Sequence, residues 1–254
     1  MRVSLNRLSP FQPIIARLSA IADSIKVNTI SQRYMDARDW VVKRRNVSGF
    51  PVTSLANVYF RLAHVPIRYC SRLSHWQRWE IECYRMLNAD GFEIHPLGRN
   101  TVCEGKVPGE SVWAHLQRKT LTRRIVIAAA EEFRRAHRMW SEELGGYWSH
   151  GDASMSNVIY DPATRRARLI DFEIIHDKSL PAAERHADDL MVFLLDLVGF
   201  VSDRRWLALA TCFLRTYGSP EVSAALRNHL FVPTGIARIW WKVRTNFINS
   251  SKIQ

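Results

Sequence analysis

Two carboxylates and a carboxamide, Asp152, Asn157 and Asp171, stand at spacings that could assemble a phosphoryl-transfer site. They lie within WSHGDASMSNVIYDPATRRARLIDFE, residues 148–173. Val158–Asp161 and Ala167–Asp171 are β-prone runs, and Asp161-Pro162-Ala163-Thr164 between them is turn chemistry. The hairpin this predicts folds back on itself and sets Asn157, just before it, beside Asp171 at its far end. Two oxygen ligands brought together suit a hard cation such as magnesium, which keeps waters and phosphate oxygens as its other ligands. Asp152 precedes Asn157 by five residues, in the loop entering the hairpin, where it is free to meet a hydroxyl. Phosphoryl transfer draws mostly on positioning and charge neutralisation, and these three groups offer both.

His150-Gly151-Asp152, four residues, Asn157, and then Leu169-Ile170-Asp171-Phe172-Glu173 resemble the catalytic and metal loops of the protein-kinase-like superfamily. Kinases acting on proteins usually carry His-Arg-Asp and Asp-Phe-Gly at these places. His-Gly-Asp and Asp-Phe-Glu look more like the branch that phosphorylates small molecules and sugars: aminoglycoside, choline and lipopolysaccharide-core kinases. The resemblance implies an α+β fold in two lobes, a small β-rich N-lobe and a mainly helical C-lobe, with ATP in the cleft. It implies Asp152 as the catalytic residue, Asn157 and Asp171 as magnesium ligands, and His150 as a prop for the loop.

The neighbouring segments predict the elements that must carry these groups. Leu121–Trp140 is amphipathic through Val126, Ala129, Phe133, Ala136 and Trp140, with Thr122 or Thr120 as its cap. His137 near its end reads as a packed helix residue rather than a catalyst. Arg185–Leu190 leads into a helix with Leu190, Phe193, Leu194 and Leu197 on one face. Asp189 there either anchors the catalytic loop through backbone amides, as the resemblance implies, or is a helix N-terminal acid favoured by the dipole. Ser219-Pro220-Glu221 starts another helix, and Pro233-Thr234-Gly235 separates it from a last helical segment.

Upstream, Asp39–Arg45 is a short β-like run containing Lys43, which the resemblance makes the contact for the α- and β-phosphates. Such a lysine needs an acid to hold it. Ser74–Asn88 is the helix to supply one, by the spacing of Trp76, Trp79, Cys83 and Met86, with Asp90-Gly91 as its stop. Glu80 fits the pairing acid and Glu82 is the alternative. The expected organisation is an N-terminal extension leading into the N-lobe over 1–38, the nucleotide-binding N-lobe over 39–106, and the catalytic helical C-lobe over 107–254.

A narrower likeness follows from order. Val42–Phe50, then Tyr59-Phe60-Arg61, then Trp79–Leu87 are similar to lipopolysaccharide-core kinases: a basic strand ending near a glycine, a helical insertion, and a Glu-bearing helix ending in Leu. Val102–Ser111 resembles their hinge, with Pro108-Gly109 and a short helix after it. The likeness covers about residues 40–200 and implies a sugar acceptor such as a heptose or 3-deoxy-octulosonic acid in a glycolipid. One feature departs from it. A glycine-rich loop would normally precede Lys43, yet residues 1–48 contain no glycine, the residue that lets backbone amides approach phosphate. Ser31–Lys43 can still pair as two strands around a polar turn at Asp36-Ala37-Arg38-Asp39. The expectation is weakened nucleotide binding, with a nucleotide-binding pseudokinase that binds a protein partner without turnover as one alternative.

The charge balance bears on the acceptor. The 254 residues carry 36 Lys and Arg against 24 Asp and Glu, a formal charge of +12. That surplus asks for an anionic partner: an anionic membrane or a phosphorylated glycolipid. It disfavours the second alternative, a soluble aminoglycoside- or choline-type kinase, whose cationic acceptors call for acidic pockets. No zinc-finger, basic-zipper or ribonucleoprotein-type motif appears, so nucleic acid is not expected. Cys70, Cys83, Cys103 and Cys212 share no close spacing, which argues against zinc and a disulfide framework. With no signal-peptide pattern and no apolar run long enough to span a bilayer, a cytoplasmic protein is expected, possible contact with the inner membrane face included. Two segments could make that contact: the apolar stripe of Pro13–Lys26, and Arg238–Arg244, which mixes tryptophan with cations. Each could equally pack on a lobe.

Overall fold

The computed structural model describes residues 27–47, 49–231, 234–235 and 237–238. Pro13–Lys26 and Arg238–Arg244 beyond Arg238 lie outside the described residues. Within them the chain forms two lobes. The first is built on a four-stranded antiparallel sheet with strand order β1-β2-β5-β4. β1 (Asn28–Met35) and β2 (Arg38–Arg45) form a hairpin in the register Ile30 to Lys43, turning at Asp36-Ala37, both at positive φ. β5 (Thr101–Gly105) pairs with β2 on one side and β4 (Ile94–Pro96) on the other. Helix α1 (Gly49–Leu62) and strand β3 (Ile67–Tyr69) are inserted after β2, and helix α2 (Leu73–Leu87) follows. α2 turns its Trp76, Trp79, Glu80, Cys83 and Leu87 inward, the helical periodicity its sequence predicts.

The polar turn between β1 and β2 forms where the sequence placed it, but at the wrong end to cover phosphates beside Lys43. Lys43 is six positions along from Ala37, about 20 Å at strand rise. β1 is exposed along nearly its whole length.

The second lobe begins with the short strand β6 (Glu110–Ser111) and helix α3 (Val112–Gln117), capped by the Ser111 hydroxyl. Helix α4 (Arg123–Ala136) is capped by Thr122, whose hydroxyl accepts the Ile125 N–H at 3.4 Å. It ends earlier than its periodicity suggested, and Trp140 instead enters a small ribbon of β7 (Trp140–Ser141) and β8 (Gly146–Tyr147). β9 (Val158–Asp161) and β10 (Arg166–Leu169) are the expected hairpin, and β6 extends it to three strands. β11 (Ile174–His176) pairs back across the molecule with β3. The rest is helical: α5 (Ala182–Phe200), α6 (Asp203–Tyr217) and α7 (Pro220–His229), the last started by Ser219 and Pro220. One continuous apolar core runs from α2 through α4, β9, β10 and α5 to α7. A smaller cluster of Phe60, Ile67 and Ile174 joins α1 and β3 to β11. Among the described residues no helix is long and apolar enough to cross a membrane.

Candidate active site

Lys43 is the centre of a buried ionic cluster. Its Nζ lies 2.6 Å from Glu80 Oε1, 3.1 Å from Glu104 Oε1 and 3.5 Å from Asp171 Oδ1, with the lysine side chain only 3% exposed. β2 presents the lysine, α2 the first acid, β5 the second, and the segment after β10 the third. Burial works against the ammonium charge. The carboxylates of Glu104, Glu80 and Asp171 more than offset it, and hold the Lys43 pKa well above the ordinary lysine range. Burial pushes Glu104 up to about 7, with Lys43 pulling the other way. Glu80 is tied from its other oxygen as well, which accepts the Phe172 N–H at 3.0 Å. The alternative acid, Glu82, is not among these partners. The acid the sequence reading missed is Glu104, although a lone glutamate in the apolar strand Thr101-Val102-Cys103-Glu104 was a signal for it.

The loop bearing Asp152 is held by its backbone. Asp189 accepts the N–H of His150 at 2.7 Å through Oδ2 and that of Gly151 at 2.8 Å through Oδ1. Asp189 sits in the third turn of α5, which starts at Ala182, so it is no first-turn acid answering the helix dipole. Burial would raise its pKa, but the imidazoles of His176 and His137 bring it down to about 2. His137 Nε2 lies 3.1 Å from Asp189 Oδ2, and its Nδ1 2.9 Å from the Tyr217 hydroxyl. Because burial lowers the His137 pKa, the ring is neutral at pH 7: it donates to the carboxylate and accepts from the phenol. Gly151 has φ +85°, and a Cβ there would meet the Ile174 carbonyl at 2.9 Å, so only glycine lets the loop pass β11 while offering its amide to Asp189.

Further supports come from both sides. His150 Nε2 is 3.0 Å from the Ile170 carbonyl oxygen, which fixes the strand end just before Asp171. The Met155 N–H donates to Asp196 at 3.0 Å, and burial pushes Asp196 up to about 6, with Asp152 adding to the rise. His176 bridges Ser149 and Asp188 at 2.9 Å each.

The structure brings Asn157 against Asp152 and Asp171 against Lys43. Asn157 donates from Nδ2 to the Asp152 carbonyl at 2.8 Å and to its carboxylate at 3.4 Å, which leaves the carboxamide oxygen on the opposite branch. Its own backbone carbonyl accepts the Ile170 N–H at 3.0 Å, so the hairpin does set it one residue from the level of Asp171. Asp171 adopts φ +69°, a left-handed conformation costing a non-glycine residue on the order of 1 kcal/mol. Its Oδ1 is buried, and no hydrogen bond reaches it among the described residues.

These features fit a hard cation. Asn157 and Asp171 supply oxygen donors, and negative charge gathers next to Asp171: burial and then Asp171 push Glu173 up to about 8, against the pull of Arg45. Glu173, the residue that departs from the glycine of protein kinases, is itself anchored. Arg45 reaches it at 3.3 Å while donating to the Cys70 carbonyl at 3.0 Å and lying over Trp76, and the Asn28 amide donates to its other oxygen.

No protein-family model matches the chain, and no curated protein does. Solved structures similar to it include WaaP in complex with acyl carrier protein, at 16% identity over 98% of this chain and 100% of that one, TM-score 0.44. The streptomycin–ATP–APH(2")-IIa ternary complex is similar at 14% identity over 99% of each chain, TM-score 0.44. An aminoglycoside-3'-phosphotransferase of type VIII is similar at 16% identity over 83% of this chain and 95% of that one, TM-score 0.41. With a lysine–glutamate pair on a small antiparallel sheet, and a loop and hairpin seated on helices, the chain has the two-lobed α+β fold that its sequence predicts.

Proposed function

We propose that the chain is an ATP- and magnesium-dependent phosphotransferase that moves the γ-phosphate to a hydroxyl of a sugar carried by a glycolipid. The observation that carries this reading is the convergence of Lys43, Glu80 and Asp171 in one cluster while Asp152 and Asn157 are hydrogen-bonded in a loop pinned by Asp189. Lys43, kept charged by its acids, is the group to receive the nucleotide phosphates, and Glu80 fixes where its ammonium points. Asn157 and Asp171 would hold the magnesium ion, which when bound neutralises charge on the transferred group. Asp152 orients the acceptor hydroxyl and takes its proton at the carboxylate. Its loop is held at the backbone by Asp189 and by the Asn157 carboxamide, so the position of the carboxylate does not depend on the acceptor. Most of the rate then comes from positioning, as a loose transition state requires.

The glycolipid choice rests on the basic surplus of +12 and on the likeness of the sequence to lipopolysaccharide-core kinases. Mass spectrometry of membrane glycolipids from cells producing either the wild type or Asp152→Ala tests it. A species heavier by one phosphate should appear with the wild type alone; identical glycolipids in both would remove this acceptor class. ATP binding without turnover on any sugar would favour the pseudokinase reading, which the glycine-free stretch before Lys43 supports.

A further inference from the structure

Helix α1 has two faces of opposite fate. On the inner one Thr53 and Phe60 are buried, and Asn57 exchanges hydrogen bonds with the Tyr69 backbone, donating at 3.0 Å and accepting at 2.7 Å. On the outer one Phe50, Leu55, Val58 and Leu62 are 50%, 70%, 41% and 66% exposed. At 3.6 residues per turn these four fall on one side of the helix, and Val47, 70% exposed, continues the stripe into the preceding turn. Large apolar side chains gathered on one exposed face mark an interaction surface, unlike the same residues scattered singly.

The charge around this stripe selects the partner. From Trp40 to Trp79 the chain has no aspartate or glutamate in 40 residues, yet it carries Lys43, Arg44, Arg45, Arg61, Arg68, Arg72 and Arg78. Lys43 and Arg45 are committed inside the lobe. Arg44, Arg61, Arg68, Arg72 and Arg78 are exposed. Among the described residues their ion pairs within 4 Å go to Glu143, which lies 3.4 Å from Arg68 and 3.8 Å from Arg78. An exposed apolar helix face that carries Arg61, in an acid-free stretch with four more exposed arginines, is what an anionic bilayer takes: acyl chains for the leucines, headgroups for the guanidinium groups.

The helix also stands beside the site. Phe60 packs with Ile67 and Ile174, and β3 is laddered onto β11, which begins immediately after Asp171-Phe172-Glu173. Tyr69, paired with Ile174, is close enough to Asp152 that this carboxylate adds to the burial that raises its pKa. α1 is thus joined to the Asp152 loop through β3 and β11.

We infer that the outer face of α1, Phe50, Leu55, Val58 and Leu62 with the flanking arginines, docks the protein on an anionic lipid bilayer. The inference rests on the glycolipid-acceptor reading for its purpose, not for its chemistry. The test is co-sedimentation of the full chain with phosphatidylcholine vesicles containing or lacking phosphatidylglycerol, comparing the wild type with Leu55→Glu and Leu62→Glu. Both leucines are exposed, so the substitutions should leave thermal stability and ATP binding unchanged. The wild type should bind anionic vesicles and release them as salt screens the arginines. Each variant should bind about tenfold more weakly, the loss expected when one leucine no longer leaves water.

Equal binding of wild type and variants would overturn the inference, as would a wild type that ignores anionic vesicles. Self-association of the wild type that the variants abolish, with vesicle binding unchanged, would assign the face to a second copy instead. Vesicle binding lost in the variants, but with no glycolipid phosphorylated by any form, would sustain the docking surface while removing the acceptor reading.

Discussion

Asp189 and Gly151 are joined by a 2.8 Å hydrogen bond from the glycine N–H to Oδ1, while the other oxygen accepts His150 at 2.7 Å. An aspartate in the middle of a long helix thereby fixes the backbone one residue before Asp152. Asparagine at 189 keeps the shape but replaces one acceptor by a donor, so one of two buried amides loses its partner. Asp189→Asn should cost about 1–3 kcal/mol of stability. It should also lower turnover with little change in nucleotide affinity, because the loop shifts and Lys43 does not. Chemical denaturation and nucleotide titration of the variant check both; a fall in affinity matching the fall in turnover would contradict the assignment.

Removing Lys43 leaves Glu80 and Glu104 buried without their common counter-charge. Lys43→Met is expected to destabilise the fold by about 3–5 kcal/mol, the usual result of breaking a buried ion pair from one side. Adding Glu80→Gln should recover part of that loss, since one stranded charge goes with it. Thermal melts of the single and double variants measure this coupling, and strictly additive losses would show that the two side chains do not interact.

Asp152→Ala and Asp171→Asn should fail differently. The first removes the group proposed to meet the acceptor, so kcat should fall by about 10²–10⁴-fold with nucleotide binding intact. The second removes a proposed cation ligand, so the magnesium dependence of nucleotide binding should disappear. Calorimetric titration of nucleotide with and without magnesium separates the two, and a wild type indifferent to the metal would remove Asp171 from that role.

His186 carries a pH signature. Burial, with neighbouring His137 pushing the same way, lowers its imidazole to about 3, whereas an unfolded histidine titrates near 6.5. Between those values the unfolded chain holds the proton and the folded chain does not. The stability contributed by neutral His186 is thus complete above about pH 6.5 and is lost as pH falls toward 3. Glu104, raised to about 7, acts in the opposite sense and loses its contribution as pH rises through that value. The difference in melting temperature between wild type and His186→Gln isolates the histidine: it should change across pH 6.5 to 4 and stay constant above. A constant difference throughout would contradict it.

Much of the architecture could be read from local pattern. The hairpin after Asn157, the cap at Thr122, the Ser219-Pro220 start and the inward face of α2 were all written in short-range spacing, and so was the Lys43 strand. What stayed hidden depends on pairs far apart in the chain. Arg45 meets Glu173 across 128 positions, and β3 meets β11 across more than a hundred. No periodicity encodes such pairings, because they are decided when separate elements pack. The β1–β2 turn was legible as a turn, but its distance from Lys43 became clear only from the register. His137 read correctly as a packed residue, yet its bond to Asp189 depends on α5, some fifty positions on.

The seam between the lobes is stitched at two places. Gly109, at φ +102°, is pressed so closely on the Tyr160 carbonyl that a side chain would collide with it, and the next two residues lie down as a third strand on β9. On the other flank β3 is laddered to β11. Opening the molecule like a book would tear the β3–β11 ladder on one margin and strain the chain where Gly109 is held against Tyr160 on the other. The β1–β2 hairpin lies outside both seams, its outer strand paired on one side only, as β4 is at the opposite edge of the sheet.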